Sequence, residues 1–81
     1  MDDGWFSQPV TVSVGIFGEM RHISNARQAV DLLSTHWPVE GSAKHRDARR
    51  ACLDALRGAR PVKAAREIFV EAAREAHILI E

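Results

Sequence analysis

The side chains able to do chemistry in this chain are few and poorly placed for it. Cys52 is the one cysteine, and His22, His36, His45 and His77 are the histidines. A cysteine nucleophile needs a nearby base and an exposed, electropositive setting. Cys52 instead falls on an apolar stripe with Ala48, Ala51, Ala55 and Leu56, so a packing role is expected. A closed zinc site needs four ligands at short spacings. No two histidines stand at i, i+4, and one cysteine cannot complete a set. His36 and His45, on either side of a loop, are the one pair worth locating. Asp31 and the scattered carboxylates make no recognisable acid–base pair. There is no glycine-rich phosphate loop and no Gly-x-Ser-x-Gly elbow. The sequence therefore predicts no catalytic residue, no metal and no cofactor. An enzyme of this size would need a site shared between subunits.

Charge is the feature that bears on partners. Eleven Lys and Arg balance eleven Asp and Glu, but the distribution is uneven. Residues 1–43 carry a net −3, residues 44–66 a net +6, and residues 67–81 a net −3. Helical spacing places Arg46, Arg49, Arg50 and Arg57 near one another, with Lys44 adding charge at the helix start. Clustered cations of this kind can hold phosphates, which makes a small DNA- or RNA-binding regulator the alternative reading. The leading expectation is charge matching within the chain. Glu67, Glu71 and Glu75 recur every four residues, and like charges at that spacing repel. An acidic stripe is best tolerated beside a basic one. Zero net charge and the lack of aromatic residues in the basic block also weigh against a dedicated nucleic-acid binder.

The elements that would position these residues follow from periodicity. Residues 1–8 read as a polar lead-in holding Trp5 and Phe6, which either cover the edge of the core or form a docking surface for a protein partner. From Pro9 the chain alternates, with Val10, Val12, Val14 and Ile16 on one face and Thr11, Ser13 and Gly15 on the other. Gly18-Glu19 suits a two-residue hairpin turn, and Met20–Ile23 is the return strand of a hairpin over 9–23. In the simplest pairing Arg21 shares a face with Ile16, which leaves the register open. Asn25 and Gln28 fit a capping box, with Ser24 the other candidate cap. A helix over 25–37 carries Ala26, Ala29, Val30, Leu33 and Trp37, with Leu32 beside them, and Pro38 stops it. A loop at 38–42 leads to a helix over 43–57, capped by Ser42 and ended by Gly58. Pro61 fits the first turn of a helix over 61–76 with Val62, Ala65, Phe69, Ala72, Ala73 and Ala76 buried. His77–Ile80 departs from the helical pattern and reads as a short third strand or an extended tail.

These elements make a single α+β domain over 1–81: an N-terminal hairpin, three helices and a possible short C-terminal strand. A chain of 81 residues buries only roughly 60–65% of its unfolded surface, so its core is thin. Small domains often compensate with disulfides, metals or a partner subunit. One cysteine excludes an internal disulfide, so self-association as a homodimer is the expected remedy, through the exposed edge of a short sheet. The start of the chain lacks a secretory pattern, and no apolar run approaches the roughly 20 residues of a membrane span. A soluble, cytoplasmic protein that avoids membranes is expected. A small non-catalytic interaction or accessory module, with an unnamed protein partner, is the role that fits.

Several segments taken together resemble a known family. These are the strand opening Pro9-Val10, then Ala29-Val30-Asp31-Leu32-Leu33 leading to Trp37-Pro38. The run Ala51 to Gly58 (Ala-Cys-Leu-Asp-Ala-Leu-Arg-Gly) and the run Ala65 to Ala76 follow. In this order they resemble small proteins of rhizobia and related bacteria grouped as domain of unknown function 982. The resemblance covers nearly the whole chain. It implies one short bacterial domain and carries no catalytic residues.

Overall fold

The computed structural model describes residues 3–38 and 41–80. Strands β1 (Trp5–Val14) and β2 (Glu19–Asn25) form an antiparallel hairpin, followed by helices α1 (Ala26–Thr35), α2 (Ala43–Leu56) and α3 (Val62–Glu75). The chain is thus an α+β domain. Val39 and Glu40, in the loop expected at 38–42, lie outside the described residues.

The period-two reading of β1 holds for Val10, Val12 and Val14, all buried against the helices. It fails at Ile16, which is 94% exposed, because the strand stops at Val14. Gly15 and Gly18 have φ of +82° and +66° and bracket the turn, and the Gly18 N–H donates to the Gly15 carbonyl at 3.2 Å. The turn is therefore Gly15–Gly18, not Gly18-Glu19, and Glu19 already belongs to β2. The resulting register sets Val14 opposite Glu19 and Val12 opposite Arg21, which frees Arg21 from any pairing with Ile16.

From Trp5 onward the lead-in is structured too. β1 begins at Trp5, which pairs with Asn25. Between this pair and Val10–Ile23 the ladder is irregular, since β1 advances five positions while β2 advances two. Pro9 lies in that stretch and has no N–H to donate, so a break in the ladder is expected there. Phe6 turns into the core at 9% exposure, whereas Trp5 stays 61% exposed.

On its other side β1 meets the segment after α3. The Ser13 N–H donates to Ile78 at 2.7 Å, and the Ile80 N–H donates to Thr11 at 2.9 Å. This makes a single antiparallel bridge, Val12–Leu79, rather than a third strand.

Local chemistry fixes the helix ends. Asn25 caps α1 and accepts from the Gln28 N–H at 2.8 Å; the Gln28 side chain accepts from the Ser24 N–H at 2.7 Å. Ser42 caps α2 by accepting from the His45 N–H at 3.1 Å. Pro61 occupies the cap position of α3 instead of its first turn. Helices α2 and α3 both end in a paired motif of reverse hydrogen bonds. Gly58 and Ala59 donate to Ala55 and Asp54, and His77 and Ile78 donate to Arg74 and Ala73. The motif needs a left-handed residue, supplied by Gly58 (φ +76°) in one case and by His77 (φ +59°) in the other. A side chain at that φ costs free energy that glycine avoids. His77→Gly is therefore expected to raise stability by about 0.5–1 kcal/mol after allowing for glycine's freer unfolded state. A urea midpoint that falls instead would contradict this account.

Phe69 lies at the centre of the core, fully buried, with ring centroids 6.5 Å from Phe6 and 5.8 Å from Trp37. Ala48, Ala51 and Cys52 of α2 and Ala65, Ala72 and Ala73 of α3 are also fully buried. Such small side chains let helices pack closely. Val30, Leu56, Val62 and Ala76, expected inside, are only partly buried at the rim.

Candidate functional site

Helix α2 buries one side against α1 and α3 and turns the other to solvent. Ala48, Ala51, Cys52 and Ala55 line the buried side. Arg46, Arg49, Arg50, Leu53 and Arg57 follow i, i+3, i+4, i+7 and i+11 spacing, which gathers them on the opposite side. From Arg46 to Arg57 this stripe runs about 16 Å along the helix. The four arginines, with Gly41, His45 and Leu53, line an open depression of about 670 Å3.

Among the described residues little opposes these charges. Arg49 Nε donates to the Ser34 hydroxyl of α1 at 3.1 Å, a neutral partner. Arg50 lies 3.5 Å from Asp54, which Arg60 also approaches at 3.6 Å. The side chains of Arg46 and Arg57 have no hydrogen bond or ion pair among the described residues. Among the described residues, the matching expected across α2 and α3 forms only at Lys44, 3.7 Å from Glu71. Glu71 also takes Arg74 at 2.9 Å, and Glu75 accepts from the Ser42 hydroxyl at 2.8 Å. Lys44 thus stands apart from the arginines with which it was grouped. Two residues on a helix are separated by about 200°, so Lys44 and Arg46 face nearly opposite ways.

His45, singled out only as half of a loop-flanking pair with His36, proves structural. It is buried, and both ring nitrogens are engaged. Nε2–H donates to the Leu33 carbonyl at 2.7 Å, and Nδ1 accepts from the Gly41 N–H at 3.3 Å. A carbonyl can only accept, so Nε2 is the donor in that bond. One side chain thereby ties the end of α1 to the start of α2 and sets where the arginine stripe begins. The signal for this role was its place one turn before Ala48 on the buried side. His36 is exposed and hydrogen-bonded to Thr35, and the described residues contain no group of three metal-ligating side chains.

Cys52 is fully buried, and burial pushes its thiol up from 9.0 to about 12. A thiol held neutral in an alanine-lined core is no nucleophile. The aromatic pair proposed for docking divides, since Phe6 is part of the core and only Trp5 remains on the surface. Sequence reasoning missed a more exposed apolar feature, the hairpin tip, where Ile16 and Phe17 are 94% and 93% exposed. No helix among the described residues is long and apolar enough to cross a membrane.

Hairpin, three helices and a tail laid back along β1 define a class of small α+β domain with a solvent-facing basic helix. The solution structure of Agrobacterium tumefaciens protein Atu1219 has the same fold, with a TM-score of 0.80 and 36% identity over 99% of this chain and 79% of that one. Among curated proteins none matches. The profile of the family described as "Protein of unknown function (DUF982)" matches residues 8–80, and the chain belongs to that family.

Proposed function

We propose that this protein is a small non-catalytic interaction module that binds an anionic partner through the outer face of α2. The observation that carries this reading is the set of Arg46, Arg49, Arg50 and Arg57 on one helix face, with Asp54 the one carboxylate in contact among the described residues. The residues best able to do chemistry support a non-catalytic role, because Cys52 and His45 are both consumed in packing and positioning.

Retention on an immobilised polyanion such as heparin tests the reading. The wild-type chain is expected to bind at low salt and elute early as salt rises, because screening weakens exposed charge contacts. The Arg46→Glu/Arg57→Glu variant should lose retention while keeping its circular dichroism spectrum, since neither side chain holds the fold. Retention that survives the double reversal, or no retention of the wild type, removes the proposal.

Self-association through the sheet edge has less support. Thr11 and Ser13 direct main-chain groups to the tail, so Val10, Val12 and Val14 direct theirs to β2. Met20, His22 and Ser24 therefore face the free edge of β2. Gln28 already occupies the Ser24 N–H. Pairing of Met20 and His22 with a second copy would set Arg21 opposite its own twin, and directly opposed like charges destabilise a sheet pair.

A further inference from the structure

Building on the anionic-partner reading, we infer that the partner is the phosphate backbone of double-stranded DNA, contacted by α2 with little or no base recognition. The first ground is what the face lacks. Protein interfaces depend on buried aromatic or aliphatic anchors. Among the described residues the only apolar side chain beside the arginines is Leu53, already half-buried. The exposed large apolar side chains among the described residues are Trp5, Ile16, Phe17 and Met20 on the hairpin and Ile80 on the tail, and none lines the depression. A surface of guanidinium groups without anchors suits phosphates, whose binding is driven by counterion release.

The second ground is shape. The stripe covers about 16 Å of a helix about 10–12 Å wide, and the major groove of B-DNA is about 12 Å wide. Duplex DNA offers one charge per about 1.7 Å of axis, so phosphates are available all along the stripe. The A-form RNA duplex has a deep, narrow major groove that would not admit the helix. Unpaired strands are normally held by stacking on aromatic rings, and this face has none. Exposed Glu67, Glu71 and Glu75 on the neighbouring α3 repel phosphates and confine contact to the arginine side.

The test is fluorescence anisotropy of a short labelled DNA duplex, with charge-matched poly-L-glutamate and an RNA duplex as parallel probes. Four phosphate contacts give a log–log salt slope of about −3.6, so affinity should fall about 150-fold between about 50 and 200 mM salt. Arg46→Ala and Arg57→Ala, both on the open surface, should each reduce the slope by about 1 and weaken unrelated duplex sequences alike. If poly-L-glutamate binds through these arginines and DNA does not, the DNA inference fails and the anionic-partner reading stands. Tighter binding to the RNA duplex than to DNA also overturns the inference. If nothing binds even at low salt, or if DNA binding ignores the arginine variants, both fail together.

Discussion

Phe69→Ala is expected to lower the stability of this protein by about 3–5 kcal/mol. Phe69 is the largest of the fully buried side chains, and it alone contacts an aromatic ring from each side of the core, Phe6 on β1 and Trp37 just beyond α1. Truncating a buried Phe costs about 3–5 kcal/mol, part from lost transfer free energy and part from the cavity left behind. A domain of 81 residues has a total stability of about 4–12 kcal/mol. The loss therefore consumes from about a quarter of it to, at the bottom of that range, all of it. Urea denaturation followed by far-UV circular dichroism would read the effect, with Phe69→Leu as a milder companion. A midpoint within a few tenths molar of wild type would mean that the core does not depend on this ring.

The second large effect is expected at Gly4. Its φ is +70°, and a Cβ built there would lie 2.8 Å from the Cβ of Ala26. Its carbonyl accepts the Ala26 N–H at 2.8 Å, satisfying one of the donors left open at the start of α1. Neither contact can relax without moving the beginning of β1 or the beginning of α1. Gly4→Ala should thus cost about 2–4 kcal/mol, combining left-handed strain with the displaced contact. Thermal unfolding monitored by circular dichroism would measure it. A loss below about 0.5 kcal/mol would show that this junction yields without cost to the core.

Much of the fold was legible because its signals are local. Alternation at Val10, Val12 and Val14, the Asn25–Gln28 cap, Ser42 before α2 and Gly58 after it each work within a few residues. The misplaced features required information from elsewhere in the chain. Gly15 and Gly18 both suit a turn, and only the burial of Val14 opposite Glu19 decides between them. Trp5 to Gln8 shows no period-two pattern because the ladder there is irregular. Gly4 gave no local sign of its contact with Ala26.

The candidate site was half legible. Helical spacing gathered the arginines correctly but should also have separated Lys44, which the same arithmetic turns toward α3. What spacing could not supply was the direction of the stripe. The alanine side of α2 packs inward, so the arginines point away from the glutamates expected to neutralise them. His45 was the residue least visible in advance, since a buried imidazole satisfied by two main-chain groups has no sequence signature beyond lying on the apolar side.

The placement of β1 between β2 and the segment around Leu79 constrains how this protein is made. Val10, Val12 and Val14 are synthesised early, but much of what covers them, including Phe69 and Ile78, is added tens of residues later. At about 5–20 residues per second, translation leaves that valine face uncovered for several seconds. During that interval the nascent hairpin displays an apolar surface and an unpaired β1 edge, both attractive to chaperones and to neighbouring chains. The closing contacts have high sequence separation, so final folding must wait until the tail has cleared the ribosome.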